Sequence, residues 1–179
     1  MDQIIYYSSI VCCLFYYAKY SFDEEIQMRK IESQTEIKNE YSSLKFNSNH
    51  SDYLYYSSHL GIIPTLYGMY NGSNIIALTT GLTLLTSLNY WRNPRYTWRR
   101  TIDVHMSRFT VLYNIYHTMI INGDTVNYMY IPSMSSCVLL YPIGIYLYNR
   151  KQYWYFVAAH MGVHISATVA TMLSISREK

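Results

Sequence analysis

The chain has 179 residues, 50% of them apolar and only 14% charged, with a formal net charge of +3. That length suits a single domain, and so small a positive charge argues against a nucleic-acid partner. Mean hydropathy is near zero, but 22 tyrosines dilute it, and few charges fall inside the long apolar runs; the pattern is that of an integral membrane protein.

The expected fold is all-α, a polytopic transmembrane helix bundle of five to six spans. A spanning helix needs about 20 mostly apolar residues. Residues 4–20 form a short first candidate, an uncleaved N-terminal anchor (1–20) rather than a secretory signal. Residues 21–52 are charged and mixed in sign, from Asp23 and Glu24 to Lys45, and read as a solvated cytoplasmic segment. The bundle proper is expected over 53–176. Its first span, 53–70, contains Gly61, Pro64 and Gly68. Spans 74–91 and 102–121 follow, then 126–148, which Pro132 and Pro142 should kink or break, and finally 151–174. Cys12, Cys13 and Cys137 give neither a disulfide framework nor zinc-ribbon spacing.

Charge sets the orientation. Arg92, Arg95, Arg99 and Arg100 crowd one connection and Arg150-Lys151 mark the next on that side, while residues 71–73 and 122–125 hold no Lys or Arg. The positive-inside rule places the Arg-rich loop in the cytoplasm. Trp91, Trp98 and Trp154 read as interfacial anchors.

With that topology the polar residues meet at one depth. His59 lies roughly 9 Å into its span at 1.5 Å per residue, and His160 and His164 roughly 13 and 20 Å into theirs. Ser87 sits a turn below the surface, and Asp103 and His105 in the first turn of the next span. Only His117 lies toward the far side. His160 and His164, spaced i, i+4, share one helix face. Two titratable rings in so apolar a helix are costly unless they bind a metal, pair, or line a wet cavity.

These residue types suit zinc. Three imidazoles leave a fourth position for water, whose pKa the metal lowers toward 7. Asp103 would act on that water and Ser87 would support the site. The alternative is that Asp103 caps its helix or pairs with Arg99 or Arg100, and that Ser87 and the histidines only knit helices together.

A serine near the end of one span, an aspartate opening the next and HxxxH in the last resemble the CREST superfamily, membrane hydrolases related to alkaline ceramidases and to the progestin and adipoQ receptors. The matching residues are Ser87, Asp103, His160 and His164, within a resemblance covering about residues 53–175. It implies a zinc-dependent lipid amide or ester hydrolase opening toward the cytoplasmic leaflet, with membrane lipid as partner. Two features depart from that pattern. Trp91 stands where the superfamily has its first histidine, and three spans rather than five run from Asp103 onward. A third zinc ligand therefore has to be His59 or, alternatively, His105. Residues two apart on a helix point about 200° apart, so if Asp103 faces inward His105 faces away, and His59 is the better candidate. The competing reading is a non-catalytic structural or degenerate membrane protein.

Overall fold

The computed structural model describes residues 48–92, 94, 98–121 and 128–176, which belong to one compact unit, residues 43–179. The expected anchor, and all of the polar segment before residue 48, lie outside the described residues. Among the described residues the chain is helical throughout, with no strand.

Helix α1 (Ser48–Ser58) starts earlier than the expected span and leads through a 3-10 turn (His59–Gly61) into α2 (Ile62–Asn71). The break has a local cause. Pro64 lacks an N–H, and its ring would collide with the carbonyl four residues back, that of Leu60; a tighter turn just upstream relieves this. Helix α2 ends at Gly72, whose φ of 81° is left-handed. There Ser73 N–H bonds Gly68 O at 2.9 Å and Gly72 N–H bonds Met69 O at 3.3 Å, the paired bonds of a Schellman ending.

Helix α3 (Asn74–Trp91) returns along α2, and their contact is close because the facing residues are small. A Cβ on Gly68 would meet the Ala77 side chain at 3.1 Å and its backbone N at 3.3 Å. Helix α4 (Trp98–Tyr116) runs on into a π-helical turn (His117–Ile121). Helix α5 (Tyr130–Asn149) is continuous despite its prolines: Pro132 lies in the first turn, where a missing N–H costs nothing, and Pro142 is accommodated inside. A second Schellman-type ending, with Lys151 at φ 60° and Gln152 N–H bonded to Leu147 O at 3.0 Å, turns the chain into α6 (Tyr153–Ile175).

Helix α6 packs against α5 on one side and α1–α2 on the other; α3 packs against α1–α2 and against α4. Leu54, Tyr90, Trp91, Phe156 and Val157 form the apolar core where α1, α3 and α6 meet. Helices α4 and α6 are joined at their far ends, where Asn114 Nδ2 donates to Thr171 Oγ1 at 2.9 Å and the hydroxyls of Thr118 and Ser174 are 2.6 Å apart.

Helices α5 and α6 are long and apolar enough to cross a membrane, yet only 33% and 22% of their apolar windows are buried inside the protein. Helices α3 and α4 also expose apolar stripes. The outward stripe of α3 is Ile75, Leu78, Leu82 and Leu85, and that of α4 is Ile102, Phe109, Leu112 and Tyr116. Their inward positions mix types: Ile76, Ala77, Tyr90 and Trp91 beside Thr79, Thr80 and Ser87 on α3, and Ile115 beside Asp103 and Asn114 on α4. A helix on a water-soluble protein keeps its apolar stripe to the inner face, whereas these carry apolar residues on both faces.

Candidate functional site

The polar residues of the sequence form separate contacts on α1, α3, α4 and α6. Ser87, in the penultimate turn of α3, donates its hydroxyl proton to Asp103 Oδ1 at 2.5 Å. Both side chains are buried. Thr86 Oγ1 lies 3.3 Å from the same oxygen and 3.0 Å from Thr83 O, with one proton to share between them. Farther along the same interface, the hydroxyls of Thr83 and Thr110 are 2.7 Å apart. Arg100, one turn before Asp103, adds a positive charge beside the carboxyl.

Trp91 follows Ser87 by one helical turn and faces α6. Its buried ring meets the imidazole of His160 edge-on, with centroids 5.1 Å apart. His160 is also in ring contact with His164 at 4.9 Å, Phe156 at 5.6 Å and Tyr141 at 6.3 Å. The i, i+4 spacing thus puts the two imidazoles side by side, and the indole occupies the position from which α3 would offer a ligand.

His164 Nδ1 is 2.8 Å from Ser57 Oγ on α1. Ser57 also reaches Leu54 O at 3.1 Å, so the direction of its one proton decides which His164 tautomer is present. Sequence reasoning missed this partner. Ser57 sits in an unremarkable Ser57-Ser58 pair 107 residues away, and no local pattern connects it to the last helix.

The candidates for a third zinc ligand behave differently from His160 and His164. His59 lies in the 3-10 turn, and its Nδ1–H donates to Tyr55 O at 3.0 Å, on its own chain segment. The rings of Tyr55 and Tyr56 flank it. His105 is exposed while Asp103 is buried, as two residues 200° apart on one helix should be. Among the described residues no group of three His, Cys, Asp or Glu side chains is placed to hold a metal ion. The residues present therefore do not fit a three-imidazole zinc centre: two imidazoles are adjacent, and the third position is filled by an indole, which has no lone pair to give a metal.

The structure thus brings Ser87 to Asp103, and His160 to His164 and to the Trp91 ring. His59 is bonded to its own segment, and His105 is exposed. Scans of family models, curated proteins and solved structures give no match to the chain.

Proposed function

We propose that this chain is an integral membrane helix bundle in which the Ser87, Asp103, His160 and His164 layer knits the helices together, and in which the metal centre of CREST-type hydrolases is not completed. Membrane embedding rests on the apolar exterior. Apolar stripes face outward on α3 and α4, and most of the apolar length of α5 and α6 is at least partly exposed as well, an exterior that hydrocarbon solvates better than water does. The positive-inside rule then puts the Arg92–Arg100 connection on the cytoplasmic side.

The single observation that carries the non-metal reading is the Trp91 ring against His160. Interhelical hydrogen bonds between polar side chains are a recognised way to fix helix register in lipid, and Ser87–Asp103, Ser57–His164 and Asn114–Thr171 are of that kind.

A zinc-dependent lipid amide or ester hydrolase is the second reading. The Ser87–Asp103 bond and the adjacent His160 and His164 favour it, because they reproduce the rest of the layout the resemblance implies.

Metal content of detergent-purified, folded protein separates the two. Less than about a tenth of a zinc per chain, unchanged in His160→Ala/His164→Ala, supports the structural reading. One zinc per chain that the double substitution removes, with hydrolysis of a lipid ester or amide, supports the hydrolase. Release of the protein from membranes by alkaline carbonate would sink both.

A further inference from the structure

Helix α4 shows the outside of the bundle a single narrow stripe. From Thr101 to Met119 the exposed residues are Ile102, His105, Phe109, Leu112 and Tyr116, and no others. They follow one another at steps of three, four, three and four residues, which is the 3.5-residue repeat of a coiled-coil seam. A face made of these positions alone is narrower than the ordinary apolar face of a surface helix. The opposite face, with Asp103, Thr110 and Asn114, is bonded to α3 and α6.

One member of the stripe is not apolar. His105 comes two turns after Trp98, about 10 Å along the axis at 1.5 Å per residue, and its exposed ring lies between Ile102 and Phe109 on the stripe. Hydrocarbon is a poor surrounding for an imidazole. The α3 stripe, Ile75, Leu78, Leu82 and Leu85, has comparable spacing but only apolar side chains, and lipid tails suit it as well as another protein would. The α4 stripe instead calls for a helix surface of the same repeat that brings a hydrogen-bonding group to the depth of His105. A second copy meets both conditions by symmetry. Copies in one membrane share an orientation, so a two-fold axis along the membrane normal sets α4 parallel to α4 and each stripe residue beside its own counterpart. An imidazole is also its own complement, because the neutral ring offers one donor and one acceptor.

We propose that this chain pairs with a second copy of itself through the α4 stripe, with His105 facing His105 across the two-fold axis. The N–H of one ring donates to the bare nitrogen of the other, while Ile102, Phe109, Leu112 and Tyr116 interdigitate with their counterparts on either side. A lone polar residue in such a seam fixes register and the number of helices that meet, and His105 plays that part here. The inference rests on the membrane reading above and on no metal or catalysis.

The test uses the full chain in phosphatidylcholine liposomes, with its native cysteines replaced. Energy transfer between donor- and acceptor-labelled copies, both labelled through Gln152→Cys and followed as the lipid-to-protein ratio is raised, gives the dimer equilibrium. Phe109→Cys and Leu82→Cys locate the contact: oxidation should link copies through position 109 on α4 and leave position 82 on α3 at the level of random collision. His105→Leu should weaken dimerisation about fivefold, the scale of one interhelical hydrogen bond in lipid. His105→Asn, whose amide also donates and accepts, should keep most of it. Residue 105 is exposed in the single chain, so both variants should unfold like the parent in dilute detergent. Energy transfer no greater than random proximity overturns the proposal. Equal linking at 82 and 109 does so too, as does dimerisation of His105→Leu at or above the parent level. A chain that fails to insert removes the membrane reading and this proposal together, and carbonate extraction recognises that case separately.

Discussion

Ser87 on α3 and Asp103 on α4 share a 2.5 Å hydrogen bond in which the serine hydroxyl is the donor. It fixes the register of the two helices at the Arg-rich end, where α4 has no other buried side chain until Asn114. Ser87→Ala should cost about 1–2 kcal/mol, since a lost bond to a buried acceptor leaves that acceptor desolvated. Thermal unfolding in detergent measures this. An unchanged midpoint would show that the bond adds nothing to stability.

Trp91 fills the position from which α3 could complete a metal site. Trp91→His should raise zinc content from near zero toward one per chain, and His160→Ala/His164→Ala in that background should abolish the gain. The same substitution empties volume in the core and should cost about 2–4 kcal/mol without metal. Zinc should recover part of that loss, because a ligand that binds only the folded state stabilises it. Calorimetric titration of the variant with zinc decides; no binding means that the three positions do not converge.

Asn114 is the polar hub of the far end, donating to Thr171 and accepting from the Tyr130 hydroxyl at 3.4 Å. A double-mutant cycle between Asn114→Ala and Thr171→Ala should give a coupling of about 0.5–1.5 kcal/mol, in the range for interhelical bonds in membranes. Additive effects would mean that the two side chains do not act together.

Two glycines should respond differently to substitution. A Cβ at Gly162 would meet Leu140 Cδ1 at 2.8 Å, the tip of a flexible side chain. At Gly68 the neighbours are the side chain and backbone of Ala77, which cannot swing away. Gly68→Val should therefore cost about 1–3 kcal/mol, as overpacking does, whereas Gly162→Ala should fold with a rotamer change of Leu140. Comparison of their unfolding midpoints checks the order.

Topology is tested by single cysteines at Asn74 and Gln152, both exposed at helix starts, after replacement of the native cysteines. In sealed vesicles a membrane-impermeant thiol reagent should reach one of them from outside and the other only after permeabilisation. Labelling of both from one side would refute the orientation.

The helical class and several turns were legible in the amino-acid sequence, because they depend on near neighbours, whereas the first helix begins before residue 53 and the prolines leave α5 unbroken. Apolar runs marked 74–91 and 151–174, Gly72 and the residues after Asn149 marked turns, and the opposed directions of Asp103 and His105 followed from 3.6 residues per turn. The Trp91 departure was equally plain. What only the tertiary structure decided involves groups far apart in the chain. Ser57 with His164, Trp91 on His160, and Asn114 with Thr171 all depend on how whole helices lean. Local periodicity carries no information about that, since a helix face says where a residue points but not which neighbour it meets. The break at His59–Gly61 lies between the two: Pro64 gave the local signal, but the bond that turns His59 Nδ1 to the Tyr55 carbonyl on its own segment was settled only by the folded chain.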